Sequence, residues 1–168
     1  GVGDGWKVAL TTLMNERLAI GGGISTGFPE IKALAETLPL ASGQAIDDPA
    51  VRSKLADWYA KSAGLKNTGA RAMSALSKGE VPGPENSIGK LVAGGMMQDI
   101  AKFALDLQGL GGLITDPEIA RSQAQIQAML MRSPAVRIEG GTDQILRNII
   151  AERVLGLPED MRADKGLA

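Results

Sequence analysis

Apolar positions along this chain recur at helical rather than strand spacing. Trp6, Leu10, Leu13, Arg17 and Ile20 follow one another at alternating four- and three-residue steps, which places them on one helical stripe. Gly21, Gly22 and Gly23 weaken that helix, and a second, shorter one is predicted over 29–37. Residues 39–45 read as a loop. Asp48 and Pro49 then give a strong start signal, the aspartate as N-cap and the proline at the first helical position. From there Val51, Leu55, Trp58, Ser62, Leu65, Gly69, Ala72 and Leu76 hold a heptad-like stripe whose small members would let another helix approach closely.

Glycine and proline over 79–84 mark a turn. The next helix carries Ile88, Val92, Met96, Ile100, Phe103 and Leu107 on one face and stops at Gly109, Gly111 and Gly112. Thr115 and Glu118 stand at capping-box spacing before a helix with a thinner apolar side of Ile119, Ile126 and Leu130. Two long helices, two of medium length and short connections predict an all-α fold, an antiparallel four-helix-type bundle. By length, 1–168 form a single helical domain, and the polar stretch 159–168 reads as a frayed tail.

The last helix has the most informative surroundings. Residues 138–158 read I-E-G-G-T-D-Q-I-L-R-N-I-I-A-E-R-V-L-G-L-P: a flexible Gly140-Gly141 turn, a capping Thr142, an apolar helix, and a stop at Gly156 and Pro158. A loop is thus delivered onto a helix N-terminus, where unpaired N–H groups and the positive end of the dipole suit a phosphate or carboxylate.

Composition narrows the class. Hydrophobic residues make up 44% of the 168 and aromatics only 3%, which favours helices packed through small side chains over an aromatic-rich sandwich. Net charge is −1 with no basic block, an argument against nucleic acid or anionic membrane as partner. Cysteine and histidine are both absent, which removes disulfides, thiol nucleophiles, imidazole bases and most metal sites. Acid/base chemistry therefore falls to Asp, Glu, Lys or Tyr, and no metal is expected. No apolar run reaches about 18 residues and no signal-peptide pattern opens the chain, so the default expectation is a soluble cytoplasmic protein. The opening G-V-G-D-G-W reads as the middle of a loop, and the chain as a domain of something longer.

Arg17 is a cation on an otherwise apolar stripe. Two readings of it stand: a snorkelling or ion-paired arginine, with Glu16 or another carboxylate as partner, or a contact to a ligand anion.

The order of these pieces resembles the C-terminal helical domain of acyl-CoA dehydrogenases. The matching pieces are an opening helix with E-R-L, a long helix pair joined by P-G-P-E, a glycine-rich end, and the G-G-T-x-x-I-x-R-N helix. The resemblance spans nearly the whole chain and implies that a helical domain and a β-domain precede Gly1. It implies an FAD-dependent dehydrogenation of an acyl-CoA thioester, with electrons passed to an electron-transfer flavoprotein and assembly into dimers or tetramers. Motif matching then places Thr142 and Gln144 at the FAD, and Gln108, Gly111 and Gly112 at the FAD pyrophosphate of a neighbouring subunit. It places Arg17 and Gly140 at the acyl-CoA. Each has a plain rival: Gly111-Gly112 as a helix stop, Thr142 as a cap with or without a ligand.

The reaction that the resemblance implies needs a carboxylate base, poised by burial, to take the proton alpha to the thioester. One branch of the family carries a Glu just before the G-T, a place held here by Gly140. For the other branch the resemblance puts the base on the helix before the Q-x-x-G-G turn, where counting back reaches Met97, with Met96 or Gly95 at a slip of one or two. No carboxylate occurs between Glu85 and Asp99. Glu139, one residue before the expected place in a flexible turn, is the candidate that remains, while Asp99 reads as a solvated charge. The usual R-x-x-F-G segment should lie near 40–46, which reads L-A-S-G-Q-A-I. These departures keep two alternatives open: a non-catalytic subunit of a hetero-oligomeric acyl-CoA dehydrogenase, and a helical interaction module without flavin.

Overall fold

In the computed structural model, residues 1–23, 26–80, 83–120 and 123–159 are described, without the side chains of 14, 15, 17–23 and 123. Helix α1, Gly5–Gly23, runs on through the glycine triplet and packs against α4, Asn86–Leu107. The first turns of α1 are not buried as its stripe predicts: Trp6 is 72% exposed, and Val8 and Leu10 are also open to solvent. Amphipathic spacing calls for a partner, and among the described residues none covers that end.

Helix α2, Phe28–Thr37, starts at Gly27, whose φ of 84° lies in the left-handed region. A Cβ there would come within 2.2 Å of the Met129 Cε, so the chain enters α2 hard against the core. Ile31, Leu34 and Ala35 are buried at helical spacing. The predicted loop over 39–45 contains a minimal hairpin: β1, Pro39–Leu40, pairs antiparallel with β2, Gly43–Gln44. Two-residue strands carry no readable alternation. A short 3₁₀ turn, Ala45–Asp47, follows, with the Gln44 N–H donating to Asp47 Oδ2 at 3.2 Å.

Helix α3, Pro49–Ser77, begins as its start signal predicts: Asp48 Oδ1 accepts from the N–H groups of Ala50 at 2.8 Å and Val51 at 3.1 Å. Its predicted stripe is buried only in the first ten residues, at Val51, Leu55 and Trp58. Beyond Lys61 no residue of α3 is buried, and Met73 is 65% exposed.

Helix α4 is the central strut, with α1, α2, α3, α6 and α7 packed around it. That is why it is buried on more than the predicted face. Ile100, Met96 and Ala104 meet α2 and α3, with Trp58 edge-on to Phe103 at 5.3 Å between centroids. A second row of small residues, including Ala93, Gly94 and Ala101, is also buried. At Gly94 an added Cβ would sit 3.4 Å from the Val136 side chain, the measure of how closely α6 approaches.

A 3₁₀ segment, Gly109–Leu113, ends α4, and α5, Pro117–Ala120, follows. The predicted Thr115–Glu118 box is corrected by one residue. Asp116 opens α5, its carbonyl accepting from Ala120 and its Oδ1 from the Glu118 N–H at 2.9 Å. Helix α6, Gln123–Val136, lies antiparallel to α4, since its early Gln127 reaches Gly112 while Val136 meets Gly94. Helix α7, Asp143–Arg153, closes with Gly156 at φ 67° and the Leu157 N–H on the Ala151 carbonyl at 2.9 Å, as its stop signal predicts. The architecture is the expected all-α bundle. Of the predicted tail, residues 160–168 lie outside those described. Among the described residues no helix is long and apolar enough to cross a membrane.

Candidate functional site at the α6–α7 corner

After α6 the chain turns sharply. Glu139 N–H still bonds to the Ala135 carbonyl at 2.9 Å, then Gly140 and Gly141 take φ of 65° and 107°, and the Asp143 N–H returns to the Arg137 carbonyl at 3.2 Å. Only residues without a Cβ hold two successive positive φ values at little cost, so the corner is spelled Gly-Gly. Thr142 is the predicted cap, its Oγ1 accepting from the Ile145 N–H at 3.3 Å.

Beneath this turn lies a charged floor. Lys90, fully buried at 0% exposure, donates from Nζ to the Gly141 carbonyl at 2.7 Å and stands 3.7 Å from Asp143 Oδ1. Asp143, 3% exposed, receives Arg137 Nε on Oδ2 at 2.7 Å, and Arg137 also donates to Gln98 Oε1. Burial pushes the Lys90 ammonium pKa below its ordinary value, and the Asp143 carboxylate opposes that shift. A groove of 360 Å³ opens beside the corner, lined by Arg137, Asp143 and Arg147 together with Lys61, Gly95 and Asp99.

The predicted site residues fall into two groups. Gly140, Thr142 and Gln144 share the corner, with Gly140 buried, Thr142 half-buried and Gln144 exposed. Gln108, Gly111 and Gly112 sit at the far end of α4, roughly 27 Å along its axis from Lys90 at 1.5 Å per residue. Within this chain the two groups do not meet. Gln108 Nε2 donates to the Ala104 carbonyl at 2.9 Å, which leaves its buried Oε1 without a hydrogen-bond partner. A Cβ at Gly112 would lie 2.7 Å from the Leu105 carbonyl oxygen, so the helix end itself requires that glycine, whereas Gly111 faces open space.

Glu139 is half-buried and its two carboxylate oxygens are both held by Arg132 Nη2 at 2.7 Å. Met97 lies in an apolar cluster with Val136 and Met129, and Asp99 is exposed. Arg17 lies in α1, but its side chain is outside the described residues. Its neighbour Glu16 is half-buried and, among the described residues, joins no hydrogen bond or ion pair. Among the described residues no group of three or more acidic side chains is placed to hold a metal.

Sequence reasoning missed Lys90, Gln98, Arg137 and Asp143. A signal for Lys90 existed. It follows Ser87 by three residues and precedes Gly94 by four, on a row of small side chains that is itself a buried stripe. As a frame for a flavin, the chain offers a capped helix start at one end, and at the other an orphaned buried acceptor on Gln108 beside an open glycine. Of these groups, the N–H groups at the α7 start are the kind that suits an anionic cofactor.

The family model for the acyl-CoA dehydrogenase C-terminal domain matches residues 3–155. The chain is 34% identical over 164 residues to the acyl-CoA dehydrogenase IpdE1 of Mycolicibacterium smegmatis, covering 95% of this chain and 38% of that protein. Among solved structures, the ChsE4-ChsE5 complex of Mycobacterium tuberculosis superposes with a TM-score of 0.72 at 24% identity, over 94% of this chain and 41% of the other. Butyryl-CoA dehydrogenase of Megasphaera elsdenii gives a TM-score of 0.71 at 16% identity, over 91% and 39%. The chain thus spans well under half the length of the relatives it matches. With its bundle and its Gly-Gly-Thr corner both inside the residues matched by one family model, the chain belongs to the acyl-CoA dehydrogenase family, as that family's C-terminal helical domain.

Proposed function

We propose that the full-length protein is an FAD-dependent acyl-CoA dehydrogenase, converting an acyl-CoA thioester to the 2-enoyl-CoA and passing electrons to an electron-transfer flavoprotein. The observation that carries this is the Gly140-Gly141-Thr142 corner, which sets a capped helix start over a floor with more positive than negative charge. When bound, the flavin supplies the hydride acceptor. This chain would contribute Thr142 and Gln144 near that flavin, and Gln108 with Gly111 toward the cofactor of a neighbouring subunit. Arg17 and Gly140 would face the acyl-CoA.

The proton alpha to the thioester needs a carboxylate. Glu139 is the candidate at the corner, and its Arg132 partner would have to release it first. Glu16 is the second candidate, a half-buried carboxylate on α1, the helix that also carries Arg17.

A second reading is favoured by Gly140, which has no side chain, and Met97, which is buried among apolar groups. In it the chain is a non-catalytic subunit that completes a partner's site, as a hetero-oligomer would allow. Expressing the full-length protein with and without an adjacent homologous chain separates the readings. On the first, the protein is yellow and oxidises acyl-CoA alone, and either Glu139→Gln or Glu16→Gln lowers kcat by about 10²-fold or more. On the second, activity needs the partner and neither substitution matters. A colourless protein inactive in both settings would leave only a helical interaction module.

A further inference from the structure

A Gly-Gly turn has no preferred shape of its own. Each glycine populates positive and negative φ about equally, so something else must hold Gly140 and Gly141 at 65° and 107°. We infer that Lys90 is the positioning residue of this turn: its buried ammonium clamps the Gly141 carbonyl and, through Asp143 and Arg137, fixes where α7 begins.

Three observations carry this. Lys90 reaches the Gly141 carbonyl across 51 residues of sequence, joining the first half of α4 directly to the corner. The same ammonium stands beside Asp143, the first residue of α7, whose other oxygen is held by Arg137 from the end of α6. One cluster thus ties together the helix before the turn, the helix after it and the strut beneath. Buried charges are also a poor way to gain stability, since well-packed apolar side chains usually do as well or better. Their geometric specificity is what apolar filling would lack. The groups facing Lys90 are Asp143 from α7, Arg137 from α6 and Glu139 from the corner, with Gln98 of α4 behind Arg137. The two cations against Asp143 add positive charge under the α7 start, on the side where negative charge of a ligand is favoured.

The inference about the turn stands on this geometry; its consequence for turnover rests on the function proposed above. The test uses the full-length protein with Lys90→Met, Lys90→Arg and Asp143→Asn. Hydrogen exchange on the flavin-free protein reads the turn directly. Lys90→Met should speed exchange over 139–146 by about 10-fold or more while amides in the middle of α4 stay unchanged. In the flavin-loaded protein the same substitution should lower kcat by ~10- to 100-fold with a smaller change in KM, and Lys90→Arg should restore part of it. Should Lys90→Met fail to fold, Asp143→Asn, which keeps the side-chain shape but loosens Arg137, decides the matter by the same exchange measurement. Wild-type exchange over 139–146 in the variants overturns the inference. If the unsubstituted protein neither binds flavin nor oxidises acyl-CoA, the functional proposal fails, and exchange still decides the role of Lys90.

Discussion

The two sides of α4 are joined to the rest of the chain by different physics. Toward α2 and α3 the contact is apolar: Ile31, Leu34, Val51, Leu55 and Trp58 close on Met96, Ile100 and Ala104. Toward α6 and α7 it includes fixed polar bonds, with Lys90 and Gln98 meeting the Gly141 carbonyl, Asp143 and Arg137. Apolar burial is roughly proportional to area and indifferent to direction, so the first seam makes the helices stay together. Hydrogen bonds fail within a fraction of an ångström, so the second determines where a loop sits. Apolar packing also continues toward α6, around Met97, Val136 and Met129, but the fixed polar bonds that locate the corner lie on the α6 and α7 side.

The largest test of that division is Trp58→Ala. Trp58 is 3% exposed in the apolar seam, and its loss should cost about 3–5 kcal/mol in urea unfolding of the full-length protein. A cost under about 1 kcal/mol would mean that the apolar seam does not hold the bundle.

A smaller effect belongs to the polar seam and shows in pH. The Lys90 pKa is lowered from 10.5 by burial, with Asp143 and Glu139 opposing and Arg137 reinforcing the shift. Between its lowered folded value and 10.5, the unfolded chain holds more of this proton than the folded one. This group's contribution therefore makes stability rise with pH through that window. Lys90→Met should remove that slope, read as the wild-type minus variant difference in urea midpoint from neutral pH upward. An identical slope in both would place the titration elsewhere.

The smallest effect is expected at Met73→Ser, on the half of α3 that neither seam reaches, within about 0.5 kcal/mol. A larger, concentration-dependent loss would show that a further surface covers this half, and the comparison would gain a third region.

Much of the fold was legible. Asp48-Pro49, Thr142 and Gly156 mark helix ends through local hydrogen bonds that close within a few residues, and Val51, Leu55 and Trp58 announce a buried face. Less of the candidate site was. Gly140, Thr142 and Gln144 were visible because the turn and cap are contiguous. Lys90 and Gln98 were not, because their partners lie 51 and 39 residues away. Trp6 and Leu76 were misread as core for the complementary reason: a stripe records that a helix has an apolar face, not that this chain covers it.

By itself, then, the sequence determined the main helices, the caps at Asp48 and Thr142, the Gly-Gly-Thr corner and the family, all carried by short-range backbone and side-chain preferences. Only the tertiary structure decided that Lys90 lies under Gly141, that Arg132 holds Glu139, and that the glycine turn at the end of α4 stands far from the corner. Those facts depend on which faces of separate helices meet, and that is settled by packing around α4 rather than by any local run of residues.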